Sequence, residues 1–69
     1  MMRWLRLRRM RRAFRALPER DRAIFGSVRF DDRDYVETAE LHSCTVAEVE
    51  QTITRVIIAL DRAARGKQP

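Results

Sequence analysis

The sequence predicts an all-α fold, a small four-helix domain whose C-terminal half is a helix-turn-helix, and three features of one stretch predict it. Between Asp34 and Leu60 the chain reads DYVETAELHSCTVAEVEQTITRVIIAL, in which Val46, Val49, Ile53, Val56, Ile57 and Leu60 recur at steps of three and four. That spacing sets them on one stripe of a long helix, and the stripe must be buried. Asp34 with Glu37 and Thr45 with Glu48 each have the spacing of a capping box, in which the first side chain accepts from the third helical amide and the acid reaches back to the cap. Two helix starts are thereby fixed, near Tyr35 and Val46. Only His42, Ser43 and Cys44 remain to turn the chain, and so short a connection forces a steep crossing, the geometry that lays a second helix in a DNA groove.

The first helix is expected over residues 3 to 16. Leu7, Met10, Phe14 and Leu17 stand at helical spacing with Trp4 leading the same face, and seven arginines fill most of the remainder. Arginine stems can lie over a core with their heads in water. The same basic amphipathic pattern also suits nucleic-acid phosphates, an acidic partner or an anionic membrane surface. Pro18 fits the first turn of a second helix, and Glu19 and Asp21 sit where the positive end of the helix dipole favours them, so this helix is expected over residues 18 to 30 with Ala23, Ile24, Phe25, Val28 and Phe30 as its apolar content. Asp31, Asp32 and Arg33 form the loop that leads to the Asp34 cap. The short helix then covers residues 35 to 41 and the long one 46 to 64, with Gly66 as C-cap. Three segments follow: a basic N-terminal helix at 1–17, the helix-turn-helix domain at 18–64, and a short tail at 65–69.

Composition narrows the function. A chain of 69 residues is one small domain that buries only about 60% of the surface its unfolded form exposes, so a partner or dimer would help it, although nothing in the sequence fixes an oligomeric state. The net charge of +5 is unevenly placed: residues 1–22 hold nine Arg against Glu19 and Asp21, net +7, while residues 23–69 are net −2. The basic footprint of a nucleic-acid binder therefore lies on the first segment, and the presumed reading helix is nearly acidic. No apolar run is long enough to span a bilayer, no secretory signal is evident, and Cys44 has no partner within the chain, so the sequence reads as a soluble cytoplasmic protein. One His and one Cys cannot assemble a metal site, and Gly26 and Gly66 belong to no phosphate-cradling loop. The carboxylates are explained by caps, helix starts and a solvated face. The expectation is a protein that is not an enzyme, with no cofactor, no metal and no small-molecule substrate.

From Phe14 to Ala63 the chain resembles region 4 of bacterial sigma factors, the extracytoplasmic-function group especially. The resemblance rests on Ala16-Leu17-Pro18 with Arg22, on Tyr35, Glu37, Ala39 and Glu40 in the short helix, and on Thr45, Val49, Arg55 and Leu60 in the long one. Thr38 stands where the family usually has Ile, His42 where it has Leu and Ser43 where it has Gly; Val46, Ala47, Glu48 and Glu50 replace the arginine or lysine usual early in the reading helix. Sixty-nine residues leave no room for region 2, the part that binds the polymerase clamp and melts the promoter, so a complete sigma factor is not implied.

The resemblance implies a transcription-related DNA-binding domain. Glu48, Gln51, Thr52 and Arg55 are the expected base-facing side chains, since Gln can bridge adenine and Glu can accept from cytosine. Arg8, Arg9, Arg11, Arg12, Arg33, Tyr35 and Thr45 are the expected phosphate contacts. Double-stranded DNA is the expected partner. The alternative, favoured by the acidic long helix, is a module that binds RNA polymerase or an anti-sigma factor without reading DNA, and a third reading is a polyanion or membrane-surface binder acting through the first helix alone.

Overall fold

The computed structural model describes residues 2–66, and these form four helices: α1 (Met2–Ala16), α2 (Glu19–Arg29), α3 (Tyr35–Leu41) and α4 (Val46–Arg65). Of the tail expected at 65–69, Arg65 is the last residue of α4 and Gly66 its cap, and residues 67–69 lie outside the described residues. Both capping boxes close. Glu37 N–H donates to Asp34 Oδ1 at 2.8 Å while Asp34 N–H donates to Glu37 Oε1 at 3.0 Å. At α4, Glu48 N–H donates to Thr45 Oγ1 at 3.0 Å and Thr45 N–H to Glu48 Oε1 at 2.8 Å. Gly66 ends α4 in the left-handed region, φ 66°, as a C-cap glycine should.

Four boundaries differ from the sequence expectation, each by one residue: α1 starts at Met2 and not at residue 3, α4 ends at Arg65 and not at residue 64, and α2 differs at both ends. Pro18 is the N-cap of α2 and not its first residue, because its ψ of 145° is extended, and the helix begins at Glu19. Phe30 follows the end of α2 as its C-cap and is 71% exposed, although its ring meets those of Phe14 and Phe25 at 6.4 and 6.1 Å in edge-on contacts. A Cβ on Gly26 would meet only Phe30 at an ordinary 3.5 Å, so no close packing demands that glycine. Ser43, in the turn, adopts φ 54°, the left-handed conformation that suits the glycine the resembled family usually has there.

The core is Ile24 and Phe25 from α2, Ala39 from α3, and Val49, Ile53 and Val56 from α4, with Phe14, Leu17, Val28, Tyr35, Cys44 and Leu60 packed around it. The stripe of α4 expected to be buried thus packs, through Val49, Ile53 and Leu60, into the cluster that holds Phe25, Val28 and Ala39. The stripe on α4 is narrower than its periodicity suggested: Val46 and Ile57 are exposed, whereas Thr52 is buried. Position 52 is three residues after Val49 and four before Val56, so helix geometry turns it inward whatever its polarity. Its hydroxyl oxygen accepts from Arg55 Nη2 at 3.3 Å.

The first helix runs past this core. Met10, Ala13, Phe14 and Leu17 are half-buried, but Trp4 and Leu7, expected on the same covered face, are 60% and 50% exposed. Depressions lined by Leu5, Arg6 and Arg9 with Ala64 and Arg65, and by Arg12, Ala13 and Ala16 with Ala63 and Gly66, show α1 crossing the last turns of α4, its own start beside the end of α4. The long axis of the molecule is 40 Å, against about 30 Å for twenty helical residues, and the first turns of α1 lie beyond the core.

Candidate nucleic-acid interface

The reverse of the buried stripe on α4 is its only broad free surface, and it carries Ala47, Gln51, Thr54 and Ile58 in one row with Glu50 and Arg55 beside them. Glu50, Gln51, Thr54 and Arg55 together line a shallow depression. Of the four expected base-facing residues, Gln51 is exposed and makes no side-chain hydrogen bond among the described residues. Arg55 is exposed but tethered: its Nη2 donates to Asp21 Oδ1 at 3.1 Å, fixing α4 to the first turn of α2, and to Thr52. Thr52 itself is buried and presents nothing to a groove, which corrects the expectation for it. Glu48 is exposed, yet its Oε1 is occupied by the Thr45 amide and, at 3.2 Å, by the Thr45 hydroxyl.

That arrangement holds the Glu48 carboxyl below its ordinary value of 4.5, chiefly through the Thr45 amide, then the Thr45 hydroxyl, with Arg20 on α2 nearby adding to it. A depressed carboxylate contributes stability that is present above about pH 4.5 and lost as pH falls through its lower folded value. In a carboxyl-carbon NMR titration Glu48 is expected to lose its charge below pH 4.5, and Glu48→Gln to remove part of the acid dependence of unfolding. A Glu48 midpoint at or above 4.5 would show the cap open in solution.

The expected phosphate contacts fall into two groups. Arg33, Tyr35 and Thr45 stand at the starts of α3 and α4; Arg33 is paired with Asp31 at 3.2 Å, Tyr35 is half-buried against the core, and the Thr45 hydroxyl serves the α4 cap. Arg8, Arg9, Arg11 and Arg12 are exposed on α1, elsewhere on the molecule. The α4 residues that α1 covers, Ala63 and Ala64, point roughly 160° around the helix from the Gln51 row, and Ala63 is about 18 Å along the axis from Gln51. Arg9 also reaches over the C-terminal end of α4, where a Cβ on Gly66 would stand 2.5 Å from its Nη1. The two groups therefore do not form one surface. Residues 34–66 hold six carboxylates against Arg55, Arg62 and Arg65, and two of those arginines are ion-paired, to Asp21 and Asp61.

Three participants were not visible in the sequence. Asp21 anchors Arg55, Arg20 lies near Glu48, and Ser27, buried on α2, shares a 3.0 Å hydrogen bond with His42 Nε2 that locks the turn onto α2. His42 thus has a structural role. No group of side chains able to hold a metal ion occurs among the described residues, and no described helix is long and apolar enough to cross a membrane.

Residues 7–60 match the family described as Sigma-70, region 4, and the chain belongs to that family. No curated protein and no solved structure matches the chain. The family places it among transcription-related, DNA-binding domains of sigma factors, a class without enzymatic activity whose members bind DNA and RNA polymerase.

Proposed function

We propose that the chain acts in the cytoplasm in transcription initiation, laying the first turns of α4 in the major groove of a promoter-type duplex with Gln51 and Arg55 toward the base edges. The row of Ala47, Gln51 and Thr54 on the free side of α4 carries this reading, because it is a broad, uncovered helical face whose side chains are short enough to enter a groove. Arg33, Tyr35 and Thr45 flank it as contacts to phosphate. Arg8, Arg9, Arg11 and Arg12 raise the positive potential at low ionic strength, but a straight duplex seated on α4 leaves them behind the domain, beyond the ~8 Å over which charge acts at physiological salt.

Selection from random duplexes is expected to enrich one sequence. For that duplex, log affinity should fall with log salt at nearly the same slope in the parent and in a variant with all four α1 arginines replaced by Gln. Each phosphate contact adds about −0.9 to the slope, so flattening by about 3 to 4 would make those arginines true phosphate contacts. Selection that enriches nothing would count against base reading. A second reading is favoured by the six carboxylates of residues 34–66: an interaction module for RNA polymerase or an anti-sigma partner. Capture of such a partner by a protein that binds no duplex at low salt would establish it.

A further inference from the structure

Helix α1 has two stripes, and the fold uses one. Met10, Ala13, Phe14 and Leu17 pack inward, while Trp4, Leu7, Arg8 and Arg11, at the i, i+3, i+4, i+7 spacing of a second stripe, are all exposed. Arg8 lies over the Trp4 ring at 5.1 Å, which leaves a flat apolar and cationic ridge, and α1 contains no acidic residue to oppose it. A surface of the opposite kind occurs on α3. Its inward residues are Tyr35, Thr38, Ala39 and His42, so Val36, Glu37, Glu40 and Leu41 face out; Val36 and Leu41 are 56% and 55% exposed. On α3, Val36 and Leu41 stand about 140° apart around the helix, on either side of Glu37 and Glu40; each face thus carries two large apolar side chains with charges of one sign, and the signs are complementary.

The two cannot meet within one molecule. The start of α1 lies beside Ala64 and Arg65, whereas α3 contributes Ala39 to the core around Val49 and Ile53, about 22 Å away along α4. We propose that α1 of one copy docks on the outward face of α3 of a second copy, Trp4 and Leu7 against Val36 and Leu41, with Arg8 and Arg11 against Glu40. The contact joins two different patches of the surface, so copies can add head to tail or exchange both contacts in a closed pair. It is also small, and belongs among weak, salt-sensitive associations. Nothing in it depends on base reading by α4.

Sedimentation equilibrium of the full chain between about 10 μM and 1 mM tests it, the range in which weak contacts populate. At low salt the average mass is expected to rise above 8.2 kDa with concentration and to fall back in about 1 M salt, where the screening length is ~3 Å. Trp4 is the sole tryptophan, so its emission should shift to the blue over the same concentrations. Trp4→Ser with Leu7→Ser removes one ridge and Val36→Ser with Leu41→Ser the other; each variant alone should stay monomeric, and an equimolar mixture should form a one-to-one pair and nothing larger. Circular dichroism checks that both are folded. Should either serine variant unfold, Arg8→Glu and Glu40→Arg take their place, each impaired alone and restored when mixed. A parent that stays monomeric at 1 mM and low salt, or mixtures that fail to pair, would overturn the proposal, including the case in which the α1 ridge binds only duplex or vesicles.

Discussion

Ile24→Ala is expected to destabilise the domain by about 2 to 5 kcal/mol, the usual cost of removing a large aliphatic side chain from a packed interior. Ile24 is wholly buried at the junction of α2 with α4, and its neighbours there, Val49 and Val56, are wholly buried too, so the space left cannot be filled from solvent. Natural domains hold only about 5 to 15 kcal/mol in total, and one of this length sits toward the low end, so the variant is expected to be largely unfolded at 37 °C. Ile53→Ala belongs in the same range. Ile57→Ala, at a position 46% exposed, should cost less than about 1 kcal/mol. Urea denaturation followed by circular dichroism separates them. Equal losses for Ile24→Ala and Ile57→Ala would mean that the buried face of α4 has been drawn at the wrong angle.

The contrast between those two isoleucines marks where the sequence was legible. Both helix starts of the helix-turn-helix could be read because a capping box is local: three residues of spacing contain the whole interaction. The direction of the α4 stripe was legible for the same reason, since it is an average over many positions. Its width was not, because width depends on how far α3 and α1 reach across α4. Seven residues of α3 and the last turns of α1 leave Val46 and Ile57 at the margin. Thr52 was misjudged by its type, yet a threonine bracketed by Val49, Ile53 and Val56 is carried inward by the helix, and a neighbouring Arg55 gives its hydroxyl a donor.

Long-range pairing set the limit for the candidate interface. Arg55 looked free because Asp21 is 34 residues away in sequence, and the bond that fixes His42 in the turn was hidden because Ser27 is 15 away. Trp4 and Leu7 were read as leading the face that Met10, Phe14 and Leu17 bury, but α4 meets the start of α1 on the side of Leu5, Arg6 and Arg9, and nothing local announces that choice of side. The separation of charge was plain from composition; that it also separates two faces of the molecule required knowing on which side of α4 the first helix packs.

Gln51→Ala is expected to lower affinity for the selected duplex by roughly 5- to 150-fold, the 1 to 3 kcal/mol that one good side-chain-to-base pair contributes, and to leave a scrambled duplex unaffected. Gln51 is suited to this because its amide is unengaged among the described residues and stands at the middle of the free row on α4. Arg55 differs. Its Nη2 is held by Asp21, whose side chain is only 16% exposed, so Arg55→Ala removes a cation and also releases a carboxylate toward the DNA. Both the selected and the scrambled duplex should then weaken, and adding Asp21→Asn should restore the scrambled duplex more than the selected one. With Gln51 and Arg55 both replaced by Ala, the ratio of the two affinities should fall close to one at fixed salt, since the depression on α4 then keeps only Thr54, which is short, and Glu50, whose charge the DNA phosphates repel. A competition titration measures the ratio directly. If it stayed within about twofold of the parent value, a difference of only about 0.4 kcal/mol, α4 would not be the reading element, and its uncovered face would be better explained as a surface for a protein partner.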